Sequence, residues 1–124
     1  MTDAQSIANQ FVAHYYTTFD TNRAGLVGLY RDRSVLTFEM DQITGLSNIG
    51  EKLTSLPFQK TQHRTSSVEA QSVAGGSAIL ILVTGQLLVD EEHNALSFAQ
   101  SFVLAQDAGG QWYVANDLFK LVYA

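Results

Sequence analysis

The chain has 124 residues, the length of one domain. Hydrophobic residues make up 46% of it and charged residues 15%, a balance that excludes an intrinsically disordered chain. The net charge is −5, and the acidic excess lies in residues 65–124, where Lys120 is the only Lys or Arg. Phosphate backbones require clustered Lys and Arg, so this distribution argues against a nucleic-acid partner. It favours a basic protein partner or no charged partner.

Several other classes of protein are excluded by what the sequence lacks. No stretch approaches the roughly 20 apolar residues of a membrane span, so we expect no membrane insertion. The N-terminus has neither the basic nor the apolar region of a signal peptide, and we expect an intracellular protein. Without cysteine, the chain has no disulfide or thiolate chemistry. His14, His63 and His93 form no closely spaced pair, so we expect no metal site and no cofactor.

The first half of the chain contains three segments with helical spacing. Apolar side chains recur every four residues over 7–19 and predict an N-terminal helix, which Thr2 or Asp3 can cap. Apolar residues over 26–30 predict a short second helix. The segment 46–55 has helical spacing again, and the only proline of the chain ends it.

The rest of the chain has the patterns of strands and turns. We predict strands over 34–40, 60–70, 78–89, 96–106 and 112–124. Turns with glycine or clustered acidic residues separate the later strands, at 75–76, 90–94 and 107–110. Helices followed by hairpin-linked strands predict an α+β fold with helices on one face of an antiparallel sheet.

One predicted strand bears on assembly. In 78–89 both alternating sets of side chains are largely apolar, which is typical of a strand buried on both faces. Two or three helices cannot cover both faces of a four- or five-stranded sheet. We therefore expect a homodimer that buries the second face.

Four segments match a known family in sequence, order and spacing: FVAHYYTTFDTNRAGLVGLY (11–30), LTFE (36–39), EKLTSLPFQKTQHR (51–64) and NDLFKLVYA (116–124). They resemble the nuclear transport factor 2 family, most of all its plant and fungal members. The resemblance implies a single domain over 1–124 with a cone-like α+β fold. In that fold a long N-terminal helix and shorter helices pack in the concave face of a strongly bent antiparallel sheet.

The resemblance also implies a function without catalysis. Members of the family are homodimers that carry the GDP form of the small GTPase Ran into the nucleus. They also bind Phe-rich (FxFG) repeats of nuclear pore proteins. We therefore expect Ran-GDP and repeat-containing nucleoporins as partners, and no catalytic residue. The implied location is the cytoplasm and nucleus, with a concentration at the nuclear pore.

By matching positions, the resemblance assigns Ran binding to an acidic rim around an apolar cavity. The rim consists of Glu39 and the acidic turn Asp90, Glu91 and Glu92, where Glu92 replaces the family's Asp. The cavity residues share apolar side chains, which by default belong to a core: Phe38, Leu56, Phe58, Leu87, Phe98, Leu118 and Phe119. From the residues alone, the acidic turn is a solvated turn and Glu39 a solvated strand end. An aromatic set inside an acidic rim is the layout of a protein-binding hot spot.

Two further positions acquire roles through the resemblance. Asp20, at the end of the first helix, matches a residue that helps to bind nucleoporin repeats, and His63 matches one near the dimer interface. Animal members also have a Trp at the position of Ala4, so the repeat site here is expected to be weaker or differently built. From the residues alone, Asp20 is a helix-end turn residue and His63 a hydrogen-bonded structural residue.

Two other functions remain open on the same fold. A cavity enzyme of the ketosteroid isomerase or dehydratase type needs a general base opposite a proton donor. Asp117, Tyr15, Tyr16 and His63 are the candidates for these groups. A bare dimerisation module is the third possibility, although related modules are fused to longer chains. The segments LPFQK and NDLF favour the transport family over both.

Overall fold

The fold is described from a computed structural model, which covers residues 3–57, 60–90 and 94–122. Helix α1 spans Ala4–Thr21, a 3-10 helix spans Arg23–Leu29, and helix α2 spans Leu46–Thr54. The predicted cap of α1 is Asp3, whose side chain accepts a hydrogen bond from Ser6 N at 2.7 Å. It satisfies one of the backbone donors that the start of a helix leaves unpaired.

Six strands form one curved sheet in the described residues: β1 Tyr30–Phe38, β2 Asp41–Thr44, β3 Thr61–Val73, β4 Ala78–Val89, β5 Leu96–Gln106 and β6 Trp112–Leu121. Their order across the sheet is β2-β1-β6-β5-β4-β3. Only the β1–β6 pair is parallel. The predicted α+β class is confirmed, but the sheet has six strands instead of four or five and is not purely antiparallel.

The differences from the predicted elements occur where the sequence pattern is short or mixed. The predicted helix 26–30 is the end of the 3-10 helix, and Tyr30 already begins β1. β2 was not predicted, because four residues are too few to show an alternation. A turn with positive φ at Glu39 (50°) and Met40 (81°) reverses the chain between β1 and β2.

The helices cover one face of the sheet and leave the other open. On β4, Ile79, Ile81 and Val83 are buried beneath the helices, whereas Leu80 and Leu82 between them are exposed. In the single chain β4 is therefore buried on one face only. The predicted burial of its second face depends on a partner, so the homodimer remains a prediction.

Helix α1 lies across the sheet and contacts β3, β4 and β5. The ring of Tyr15 packs 4.9 Å from that of Phe102 on β5, and Phe11 packs against the same ring at 5.1 Å. Farther along β4, Gly85 lets β3 and β4 lie close together, since a Cβ atom there would lie 2.3 Å from the backbone oxygen of Arg64. This packing fixes the position of α1 and of the groove between it and β3.

Candidate functional site

An apolar cavity of about 480 Å³ opens at one end of the sheet. It lies between the ends of β1, β4 and β6 and the start of β5. The residues that line it are mainly apolar: Phe38, Leu87, Val89, Asn94, Leu96, Phe119 and Leu121. Its volume lies within the roughly 300–1,000 Å³ usual for ligand pockets.

A row of three aromatic rings forms one wall of this cavity and extends below it. Phe38 and Phe119 occupy paired positions of the parallel strands β1 and β6. Their rings stack with the centroids 4.8 Å apart and an angle of 8° between the ring planes. Phe98 continues the row behind Phe119 at 5.7 Å and is buried. The stacking restricts the rotamers of half-buried Phe38 and buried Phe119, so the apolar wall is formed before any ligand binds.

Glu39 lies directly after Phe38, in the turn that ends β1. Its backbone N–H donates to the oxygen of Phe119 at 3.1 Å, and its carboxylate Oε1 accepts a hydrogen bond from the backbone N–H of Leu121. The carboxylate is half-buried and holds the end of β6 beside β1. One of its oxygens thus has a structural partner within the chain.

Asp90 occupies the corresponding position at the end of β4, directly after Val89. Its φ is 53°, its side chain accepts from the backbone N–H of Lys60 at 2.9 Å, and its own N–H donates to the oxygen of Lys60 at 2.7 Å. Asp90 therefore ties the start of β3 to the end of β4 at the edge of the cavity. The predicted site residues Phe58, Glu91 and Glu92 lie outside the described residues.

The structure separates the remaining predicted cavity residues. Leu56 is buried in the core at the end of α2. Leu118 points to the opposite face of the sheet from Phe119, because neighbouring side chains alternate along a strand. Its exposed fraction is 56%, against 6% for Phe119. Leu118 lines a different, apolar groove on the outer face, together with Met40 and Leu82.

Sequence reasoning missed three apolar residues of the cavity, Val89, Leu96 and Leu121. Leu121 is two positions beyond Phe119, so strand periodicity alone was enough to find it. Val89 and Leu96 flank the acidic turn and carry no signal of their own. Only the pairing of β4 with β5 brings them together.

A second concave region, of about 380 Å³, lies between α1 and β3 and is called the α1–β3 groove. At one end of it Asp20 accepts hydrogen bonds from Thr61 Oγ1 (2.6 Å), from His63 N (2.9 Å) and from the His63 ring nitrogen Nδ1 (2.7 Å). Burial raises the pKa of the Asp20 carboxyl, but the hydrogen bonds from His63 and Thr61 outweigh it and lower the pKa below its usual value.

The imidazole of His63 lies inside the subunit. Its side chain is 2% exposed, and it stacks on the ring of Tyr16 at 4.5 Å, with Phe19 and Phe98 in edge contact. This agrees with the structural, hydrogen-bonded role that the residues alone indicated. The assignment of His63 to a dimer interface stays a prediction.

Three of the four candidates for a catalytic group, Asp117, Tyr15 and Tyr16, belong to one buried network of hydrogen bonds, whereas His63 bonds Asp20. Asp117 is 1% exposed and accepts from Gln100 Nε2 (2.7 Å), Tyr30 Oη (2.7 Å) and Tyr15 Oη (3.3 Å). Gln100 in turn accepts from Tyr16 Oη at 2.7 Å. Burial raises the pKa of Asp117 to about 6, although these hydrogen bonds act in the opposite direction. Its carboxylate ties side chains together instead of facing a substrate cavity.

The described residues also bear on metals and membranes. Within 3–57, 60–90 and 94–122, no group of three or more His, Cys, Asp or Glu side chains is placed to hold a metal ion. Of the helices in the same ranges, none is long and apolar enough to cross a membrane.

A curved six-stranded sheet around α1, with a cavity at its open end, defines a cone-like α+β fold. A model of the nuclear transport factor 2 domain matches residues 7–121. The nuclear transport factor 2 of Emericella nidulans is 57% identical over 99% of this chain and 98% of its own. That of Neurospora crassa is 59% identical over 97% and 96%. The chain belongs to the nuclear transport factor 2 family.

Solved structures agree with this membership. The structure of nuclear transport factor 2 from Cryptosporidium parvum superposes with a TM-score of 0.88 at 40% identity, and covers 94% of this chain and 92% of that one. A hexachlorocyclohexane dehydrochlorinase superposes with a TM-score of 0.80 at only 15% identity. The likeness to the enzyme shows a shared fold alone. The more similar relatives are named as transport factors and not as enzymes.

Proposed function

We propose that the protein is a nuclear import carrier for the GDP-bound form of Ran. The observation that carries this proposal is the preformed apolar cavity at the end of the sheet, with the stacked rings of Phe38 and Phe119 as one wall. Leu87, Leu96 and Leu121 supply most of the rest. An aromatic side chain from a loop of Ran is the ligand that such a cavity fits, since aromatic anchors dominate protein-binding hot spots.

The two described acidic residues of the rim suit a basic partner. Glu39 follows Phe38 and Asp90 follows Val89, so each carboxylate is attached to a strand whose last residue lines the cavity. Glu39 uses one carboxylate oxygen for Leu121, which fixes its rotamer and leaves the other oxygen for a partner Lys or Arg. Such fixed charges contribute to specificity and to the rate of association.

The proposal also includes selection between the two nucleotide states of Ran. The aromatic of a switch loop enters the cavity only in the conformation that GDP allows, and in the GTP state the loop lies elsewhere. The carrier then distinguishes the two states by affinity, without chemistry. Calorimetric titration with Ran-GDP and with Ran-GTP tests this. We expect binding of Ran-GDP only; equal binding of both states, or of neither, would remove the proposal.

The Phe-rich repeats of nuclear pore proteins are assigned to the α1–β3 groove. Val12, Tyr16 and Val68 provide apolar surface there, and Asp20 lies at one end. Ala4 stands at the start of α1 where animal members have an aromatic residue. The repeat-binding site therefore depends on the apolar surface of the groove. Weak contacts of this kind dissociate quickly and allow rapid movement through the pore. On this account the protein is found in cytoplasm and nucleus, with a concentration at the pore.

The outer face of the sheet is assigned to a homodimer. Leu82 and Leu118 are exposed beside Met40, in an apolar groove of about 420 Å³. Contiguous apolar surface of this kind marks interaction sites, and a twofold dimer covers the same patch on both subunits. The expected assembly has a mass of about 27 kDa, twice that of the 13.6 kDa chain.

A further inference from the structure

Strand β3 forms one of the two edges of the sheet, and a side chain of α1 makes hydrogen bonds to this edge. β3 is the outermost strand beside β4, so alternate backbone groups of β3 face away from the sheet. Gln5, in the first turn of α1, donates from Nε2 to the oxygen of Val68 at 2.9 Å. Its Oε1 accepts from the N–H of Ala70 at 3.1 Å. The side-chain amide thus bonds this edge as a peptide group of a neighbouring strand would.

The last turn of α1 bonds the other end of the same edge. There Asp20 accepts hydrogen bonds from the N–H of His63 and the hydroxyl of Thr61. A β-bulge between Thr65 and Ser67 interrupts the pairing with β4 between these two contacts. Because a bulge bends its strand, the anchor at Asp20 does not set the direction of β3 beyond the bulge relative to α1. That part still pairs with β4 over residues 67–73, and Gln5 supplies its side-chain hydrogen bonds to α1.

We propose that Gln5 is a positioning residue for the α1–β3 groove. On β3, Thr65 lies between the two anchors and Val68 lies at the Gln5 anchor. Both line the groove opposite Val12 and Tyr16 of α1. By holding the edge of β3 to the start of α1, Gln5 sets the width of the groove. This inference rests on the proposed function, in which the same groove receives the Phe-rich repeats.

Two substitutions at Gln5 separate this role from the stability of the helix. Gln5→Ala removes both hydrogen bonds to β3 and the exposed one from Nε2 to Asn9 Oδ1 within α1 (3.0 Å), but it introduces the best helix former, which offsets the loss within the helix. Gln5→Glu keeps an acceptor for Ala70 N, loses the donor to Val68 O, and adds a negative charge that favours the N-terminus of a helix. A role limited to helix stability predicts that neither variant has an effect. Gln10→Ala, at an exposed position of α1, is the matched control.

The experiment measures amide hydrogen exchange at Ala70 together with the affinities for an FxFG peptide and for Ran-GDP. For Gln5→Ala we expect Ala70 exchange about fivefold faster or more, the equivalent of one lost hydrogen bond. We expect binding of the peptide to weaken several-fold while binding of Ran-GDP stays at the wild-type value. Gln5→Glu is expected to lie between wild type and Gln5→Ala, and Gln10→Ala to match wild type in all three readouts.

Three results would overturn the proposal in distinguishable ways. Unchanged exchange at Ala70 in Gln5→Ala would show that Gln5 does not clamp the edge. Faster exchange at Ala70 with unchanged binding of the peptide would show that Gln5 holds the edge of β3 but does not position the groove for binding. Failure of the wild-type protein to bind the peptide at all would remove the assignment of repeats to this groove, and the positioning role with it, while the Ala70 amide still reports on the clamp.

Discussion

Asp117 gives the fold an unusual dependence on pH. Its carboxylate is buried among the neutral donors Gln100, Tyr30 and Tyr15, and burial raises its pKa from 3.8 to about 6. Between these two values the folded state holds a proton that the unfolded chain has released. The folded state then binds more protons, so the contribution of Asp117 to the free energy of unfolding falls as the pH rises through this window.

The magnitude follows from the shift of about two pKa units, each equivalent to about 1.4 kcal/mol. Asp117 costs the fold about 3 kcal/mol at pH 7 relative to pH below 4, and about 1 kcal/mol of this difference arises between pH 5 and pH 7. Asp117→Asn removes the titration. Rotation of the Gln100 amide restores a partner for the new NH₂ group, so we expect the variant to fold.

The assay is urea unfolding of wild type and Asp117→Asn at pH 5, 6 and 7 and at one protein concentration, followed by the fluorescence of Trp112, the only Trp of the chain. From pH 5 to pH 7 the wild type is expected to lose about 1 kcal/mol more stability than the variant. Asp20 contributes with the opposite sign because its pKa is lowered, but its contribution changes only below about pH 5 and leaves the comparison between pH 5 and pH 7 undisturbed. Parallel pH profiles for wild type and Asp117→Asn would refute the reasoning.

Three further predictions concern the acidic rim of the cavity, the outer face of the sheet, and the close approach of β3 and β4 at Gly85. Glu39→Gln keeps an acceptor for the N–H of Leu121 but removes the negative charge. Calorimetry is therefore expected to show binding of Ran-GDP weakened about tenfold, with an unchanged melting temperature of the variant. The control Glu51→Gln, at an exposed position of α2, is expected to bind Ran-GDP as wild type does. Leu82→Glu places a charge in the outer apolar groove and is expected to give a monomer in light scattering; a dimer would contradict the assigned interface. Gly85→Ala is expected to cost about 2 kcal/mol or more in urea unfolding because its Cβ meets backbone atoms, whereas Gly28→Ala, with open space around it, is expected to be near neutral.

The parts of the fold that the sequence predicts well are those with long, regular patterns. Apolar side chains alternate along the predicted strand 96–106, and Phe98, Phe102 and Leu104 on one of its faces are all buried. The four-residue spacing of apolar side chains likewise predicted α1, and Asp3, one of the two predicted caps, is its N-cap. In both cases one face of one element decides the outcome, so local periodicity contains the information.

The parts that could not be predicted depend on contacts between distant residues. The carboxylate of Glu39 bonds the backbone of Leu121, 82 positions along the chain. The network of Asp117 combines residues of β6, β5, β1 and α1, and no local pattern identifies its members. For Leu118 the local pattern was the better guide. The family resemblance placed Leu118 in the cavity with Phe119, whereas the alternation of side chains along β6 puts the two on opposite faces of the sheet.

The central claim is that Ran-GDP binds in the cavity at the end of the sheet. Its most direct test is a titration of methyl-labelled protein with Ran-GDP, in which the leucine methyl signals report the site. We expect the signals of Leu87, Leu96 and Leu121 to shift, while that of Leu82 on the outer face does not. Shifts confined to Leu82, with the cavity leucines unmoved, would contradict it.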